Sequence, residues 1–387
     1  MNPIQRDMFD IIMGYAFLAQ PRSIELPSGI SFAEINRCLV EHIVLNPHFQ
    51  LYPPSKQYQR AFWKTMIGRL EELLARQEAE DEEIDPRILD YYLSILPSSG
   101  PLSGSSDPSL RGQICDRGLP LGETPAKSFV TRFWEYGPTH NQERSHEDVV
   151  DLTRYQTATL EESRTTIEGG TTGLRTWLAS HVLARYLIQN PSVVEGKRVL
   201  ELGSGIGYLG IIVASLQRLA FKDSSSLWLT DVNDSVLSQC RQSIQLPCNI
   251  SSTHKSVEFR TLDWEDVSRP NVGILKTLLR DEIKPDIILG ADIVFDPALV
   301  PPLVALIRLA LQLGSESNTQ GLALIALTIR NPETFQYFLD RVREQGLCFE
   351  DVPSPEATKG FEFVDAVEGG VSTSDRVRIL RITWGAR

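Results

Sequence analysis

The sequence predicts an open α/β sheet with a helical region ahead of it, and three observations carry that prediction. Residues 199–202 form a short apolar strand that runs into a glycine turn, Gly203, Ser204, Gly205, Ile206 and Gly207, and then into a small, apolar helix near residues 209–214. A second strand, residues 227–230, ends in Asp231. Before residue 97, apolar side chains recur instead at helical spacing, as in Met8, Ile11, Ile12 and Tyr15. A strand, a glycine turn, a helix and an acid closing the next strand make the mononucleotide-binding half of an open sheet.

Each part has a physical reason. Glycines allow turns and close approaches that a side chain would block. A helix N-terminus offers unpaired N–H groups and positive potential to an electron-rich group. An acid at the end of the second strand can accept hydrogen bonds from two ribose hydroxyls. The glycines fall at every second position, with Glu201 two residues before the first. A dinucleotide fingerprint places its third glycine one residue later, so the spacing disfavours a nicotinamide-linked dehydrogenase.

Length and composition bound the answer. With 387 residues the chain can form one large or two modest domains. A net charge of −12 argues against a general basic surface for nucleic acid. Cys38, Cys115, Cys240, Cys248 and Cys348 show no zinc-type spacing, and an odd count without a secretion signal fits reduced thiols. No apolar run is read as approaching membrane-spanning length. The expectation is a cytoplasmic monomer that neither crosses a membrane nor holds nucleic acid stably, and no metal site is predicted.

Three segments divide the chain: a helical region (1–96), a linker rich in Ser, Gly and Pro (97–127), and an α/β domain (128–387). In the first, Ser31 and Glu34 are spaced as a capping box, and residues 58–77 carry Phe62, Met66, Ile67, Leu70 and Leu73 on one side. The acid run 78–85 reads as a solvated end, and the region shows no obvious chemistry. Residues 130–136 and 155–167 have β-type composition and read as a hairpin beside the main sheet.

Candidate ligand contacts cluster where strands end, because ligands in this topology sit at the carboxyl edge of the sheet. Residues 257–262 form a third strand followed by Asp263 and Trp264, and 286–290 a fourth followed by Ala291, Asp292, Ile293, Val294 and Phe295. Simpler roles compete: Trp264 as core, Asp263 as a cap, and Asp292 as a cap for a helix near Pro297. Trp177, on a helix that follows Gly169–Gly173, would ordinarily be core as well. Residues 322–327 read as a fifth strand. Arg330 and Glu333 follow it on the same edge, and 347–352 with 377–384 read as a final antiparallel pair.

As a set, Gly-Thr-Thr-Gly-Leu-Arg-Thr-Trp at 170–177, Val-Leu-Glu-Leu-Gly-Ser-Gly at 199–205, Thr-Asp at 230–231, Leu-Asp-Trp at 262–264 and Ala-Asp-Ile-Val-Phe-Asp-Pro at 291–297 resemble the seven-strand protein-lysine methyltransferases. The flanks Tyr-Pro-Pro-Ser at 52–55 and Arg-Asn-Pro-Glu-Thr at 330–334 are similar to the family that methylates a lysine of eukaryotic translation elongation factor 2. The resemblance implies a Rossmann-like seven-stranded methyltransferase sheet, S-adenosylmethionine as cofactor and a protein substrate. It assigns cofactor contacts to Trp177, Glu201, Gly203, Ser204, Gly205, Gly207, Asp231, Asp263, Trp264 and Ala291, and the target lysine to Asp292 and Phe295. Related enzymes often carry Tyr where this chain has Phe295, so any role there is packing or cation–π contact. Two alternatives remain open: a methyltransferase for RNA or a small molecule, and a non-catalytic module that kept the fold.

Overall fold

The computed structural model describes residues 4–77, 82–97, 127–136, 149–163, 173–222, 224–270, 272–315, 321–353 and 376–385. Most of the expected linker, residues 169–172 and the acids at 362, 365 and 368 lie outside these. A two-residue strand β1 (Ile4–Gln5) leads into α1 (Arg6–Ala16), followed by α2 (Phe32–Leu39), α3 (Pro47–Leu51), α4 (Lys56–Gln77) and α5 (Pro86–Ile95). The expected capping box opens α2: Ser31 Oγ accepts from Glu34 N, and Glu34 Oε2 accepts from Ser31 N, each at 3.3 Å. The buried face of α4 presents Phe62, Trp63, Met66 and Leu70, all fully covered, to α1 and its neighbours. Tyr58 Oη lies within hydrogen-bond reach of the carbonyls of both Gly14 and Ala19, at 3.0 and 2.9 Å, and shares its one proton between them, which ties α4 to the end of α1.

The expected hairpin exists, but as a sheet of its own. Strands β2 (Ser128–Glu135) and β4 (Tyr155–Glu162) pair antiparallel, while β3 (Val149–Val150) between them pairs with β1. Successive side chains on a strand point to opposite faces, and both faces of β2 are used. Phe129 and Phe133 meet Tyr52 and Phe9 of the helical region, at ring distances of 5.4 and 5.5 Å. Trp134, with Ala158 and Leu160 of β4, joins the core under the main sheet. Asn249 fastens β4 from the other side: its Oδ1 accepts from Thr159 N at 2.8 Å and its Nδ2 donates to Thr159 O at 2.7 Å.

The main sheet follows α6 (Leu178–Gln189). Its elements are β5 (Arg198–Leu202), α7 (Tyr208–Leu219), β6 (Ser226–Asp231), α8 (Asp234–Ile244), β7 (Val257–Thr261), α9 (Val272–Thr277), β8 (Ile287–Ala291), α10 (Val300–Ser315), β9 (Leu322–Thr328), α11 (Pro332–Glu344), β10 (Leu347–Val352) and β11 (Val377–Trp384). The order is β10-β11-β9-β8-β5-β6-β7, with β11 antiparallel to both of its neighbours and β9, β8, β5, β6 and β7 paired parallel. The seven expected strands and the closing antiparallel pair are therefore present. Because β5 has β6 on one side and β8 on the other, the chain changes direction there and opens a crevice at the strands' carboxyl ends.

Helices cover both faces of the sheet and give two apolar layers, one with α6 and α7, the other with α10 and α11. The stretch Pro297–Gly314 corrects one expectation, since its length and a mean hydropathy of 1.5 match a membrane span. In the fold, Leu303, Val304, Leu306 and Ile307 of α10 are fully buried against the sheet. A helix apolar on most sides is what the interior of a large sheet protein requires.

Candidate active site

The glycine turn is stitched to the next strand before it meets any ligand. Ser204 N donates to Thr230 O at 2.8 Å, and Thr230 N donates back to Ser204 Oγ at 3.0 Å. Two glycines are required by close approach. A Cβ on Gly205, whose φ is +54°, would stand 3.1 Å from the carbonyl oxygen of Gly173. A Cβ on Gly207, with φ +90° at the N-cap of α7, would stand 2.7 Å from Cys240 Sγ. The turn is thus packed on both sides and leaves the helix N-terminus facing the crevice.

Asp231 ends β6 with both oxygens engaged. Its Oδ2 accepts from Gly205 N at 3.3 Å and its Oδ1 from Asn233 N at 3.0 Å. Burial pushes its pKa up, while the backbone N–H groups of Asn233 and Gly205 pull it down. Glu201, on β5 behind the turn, is buried, and its Oε2 has no hydrogen-bond partner among the described residues. Burial, and then the charge of Asp231, raise its pKa to about 8.

These elements enclose a cavity of about 410 Å³, within the size range of small-molecule sites. Of the predicted contacts, Trp177, Gly203, Ser204, Gly205, Gly207, Asp231, Asp263, Trp264, Ala291, Asp292 and Phe295 all line it. Glu201 does not: it is buried on β5, away from the lining. Asp263 is at once a wall and a cap, accepting from Glu265 N at 3.0 Å and pairing with Arg269 at 3.0 Å. Trp177 precedes α6 as its N-cap residue rather than lying inside the helix. Its ring carries the guanidinium of Arg330 at 4.9 Å and that of Arg175 at 5.9 Å.

Asp292 is held in an unusual way. Its φ is +55°, a conformation few residues other than glycine adopt. It caps no helix near Pro297, because Asp296 does that by accepting from Ala298 N. Instead its side chain reaches across to the end of β9, accepting from Thr328 N at 2.8 Å, Thr328 Oγ1 at 2.9 Å and Arg330 Nη2 at 3.1 Å. Phe295 stands 59% exposed at the mouth.

Several lining residues escaped the sequence reading, among them Arg175, Thr176, Tyr208, Val232, Leu262 and Ile293. Position in a quoted motif was the available signal for Arg175, Thr176 and Leu262. Ile293 had the same signal, whereas Val232 lies in no quoted motif and is brought in by the fold.

The lining suits S-adenosylmethionine. Trp264, Val232 and Leu262 offer apolar walls for a purine, and the second lone pairs of Asp231 are available to hydroxyls. The aromatic face of Trp177 suits a cation, and Gly205 leaves the turn open where any side chain would press on Gly173.

Comparison with known proteins agrees. The sequence profile of the lysine methyltransferase family matches residues 157–345. The chain is 26% identical over 342 residues to the protein-lysine N-methyltransferase EEF2KMT of Bos taurus, covering 84% of this chain and 82% of that one. The Homo sapiens protein of the same name is 33% identical over 203 residues, 51% of this chain and 58% of that one. The protein-lysine N-methyltransferase EFM3 of Chaetomium thermophilum is 32% identical over 208 residues, 52% of this chain and 57% of that one. With the seven-stranded sheet, the glycine turn and the cavity beside it, these matches support a class I, S-adenosylmethionine-dependent protein-lysine methyltransferase.

Proposed function

We propose that the chain methylates a lysine of translation elongation factor 2, and that Asp292 and Phe295 meet the target side chain. The observation that carries this reading is the extent of the similarity to the bovine relative. At 84% of this chain the match must extend into the helical region as well as the catalytic sheet, so the likeness is not confined to the residues around the cofactor cavity. The reading treats residues 1–96, 97–127 and 128–387 as helical region, linker and catalytic domain, and the protein as a cytoplasmic monomer.

When bound, S-adenosylmethionine supplies a methyl group already activated by its sulfonium. The chain's own task is to hold a neutral amine in line with that group. A lysine with its ordinary pKa near 10.4 is mostly protonated at neutral pH and lacks the lone pair it needs. An ionised carboxylate has about four acceptor sites, and three of those on Asp292 are taken by Thr328 and Arg330. The fourth accepts from the amine and orients it, while Phe295 packs on the lysine methylenes at the mouth. Asp292 therefore positions the nucleophile, and the proton leaves to water.

The test is transfer of labelled methyl from S-adenosylmethionine into purified elongation factor 2 and into a cell extract, with Asp292→Ala as control. One dominant band at the size of elongation factor 2, weakened at least about 100-fold in the variant, is expected. Label in RNA, in small molecules or in other proteins only would sink the substrate assignment. Undiminished transfer by Asp292→Ala would remove Asp292 from the site.

A further inference from the structure

Arg330 follows β9 and lines the mouth of the cavity, where its Nη2 pairs with Asp292 Oδ2 at 3.1 Å. The acid's side chain is 4% exposed and the arginine's 48%, so the acid is sunk while its partner borders open space. The guanidinium also lies over the ring of Trp177, 4.9 Å from its centre, at the mouth of the cavity.

The other charged groups around the mouth do not offset Asp292. Asp231 is turned to the N–H groups of Gly205 and Asn233, and Asp263 is paired with Arg269. Arg175 lies beside Trp177, and Glu333 is an exposed residue in the first turn of α11. Asp292 is thus the acid at the fourth strand's end, and Arg330 is the cation against it.

Left alone, a carboxylate beside an amine favours the charged form and raises its pKa by about 1–3 units. That would hold a target lysine as the ammonium, which cannot attack. We infer that Arg330 is a positioning residue that cancels the charge of Asp292, so that the acid orients the target lysine without stabilising its protonated form. A guanidinium stays charged at every working pH, so the compensation does not titrate away. This inference rests on the lysine reading above.

The experiment measures kcat, which reports groups in the enzyme–substrate complex, against pH with the full chain, labelled S-adenosylmethionine and saturating elongation factor 2. It compares the unmodified enzyme with Arg330→Lys and Arg330→Gln, and cofactor affinity and thermal unfolding are measured on each. Arg330→Lys should keep the profile. Arg330→Gln should lose roughly 10-fold near pH 7 and recover most of it near pH 9, an upward shift of about one unit in the apparent pKa, with cofactor affinity unchanged. An unshifted profile in Arg330→Gln overturns the inference. A loss uniform with pH and accompanied by weaker cofactor binding also overturns it, because Arg330 would then serve the cofactor. If Arg330→Gln does not fold, Arg330→Met keeps the packing on Trp177 without the charge and is read the same way. If the unmodified enzyme labels a different protein lysine, the substrate assignment fails and the profiles are measured on that protein.

Discussion

Arg132 and Glu162 form an ion pair, Nη2 to Oε1 at 2.9 Å, with both side chains nearly covered. The same Glu162 oxygen accepts from Thr176 Oγ1 at 2.7 Å, and the guanidinium lies 4.8 Å from the ring centre of Tyr208. The pair therefore joins the accessory hairpin to the segment that ends in Trp177 and to the first residue of α7. Removing one member of a buried pair leaves the other charge uncompensated, at a cost of about 3–5 kcal/mol. Glu162→Ala should lower the free energy of unfolding by that amount, measured by denaturant titration, whereas replacing Arg132 and Glu162 together by Met and Leu should cost much less. Equal losses in the single and double variants would show that the pair has no special role.

Glu201 makes stability depend on pH in an unusual direction. Its folded pKa, near 8, lies well above the ordinary carboxylate range because burial, and next the charge of Asp231, disfavour ionisation. Between those two values the unfolded chain has released the proton and the folded chain retains it. The folded state therefore loses ground as pH rises, by about 1.4 kcal/mol per unit from this group, and the loss stops above about pH 8. In thermal melts across that window, Glu201→Gln should flatten the decline. Parallel curves for variant and unmodified protein would mean that Glu201 ionises normally.

Asp231 should carry cofactor affinity. Hydrogen bonds to a charged group contribute about 1.5–3 kcal/mol each, so Asp231→Ala should weaken binding of S-adenosylmethionine by roughly 10- to 100-fold in calorimetry. Asp231→Asn should fall between, since it keeps one acceptor. An affinity unchanged by Asp231→Ala would remove the acid from the cofactor site.

Gly205→Ala should damage the site more than the fold. The new methyl would press on the Gly173 carbonyl from a residue already at φ +54°, a strain of about 1–2 kcal/mol. The expected result is a small drop in melting temperature with a large loss of cofactor binding. A variant that binds S-adenosylmethionine normally would show that the turn tolerates a side chain.

What the sequence determined by itself was whatever is written in short-range patterns. The glycine turn, the strand that ends at Asp231, the strand just before Asp263 and Trp264, the capping box of Ser31 and Glu34, and the two closing strands taken singly follow from periodicity, backbone freedom and spacing within a few residues. What only the tertiary structure decided involves partners far apart in the chain. Asp292 was read as a helix cap or a substrate-facing acid; the contacts that hold it come from Thr328 at the end of the neighbouring strand and Arg330 just beyond it, thirty-six and thirty-eight residues away. The hairpin was read as lying beside the main sheet; aromatic rings on one face and Trp134 on the other show that it joins the helical region to the core of that sheet. Glu201 was read as a ligand contact; the fold buries it on β5 outside the cavity lining and displaces its pKa. Spacing along the chain reports which way a side chain points on its own element; what it meets there depends on how strands and helices from distant segments pack together.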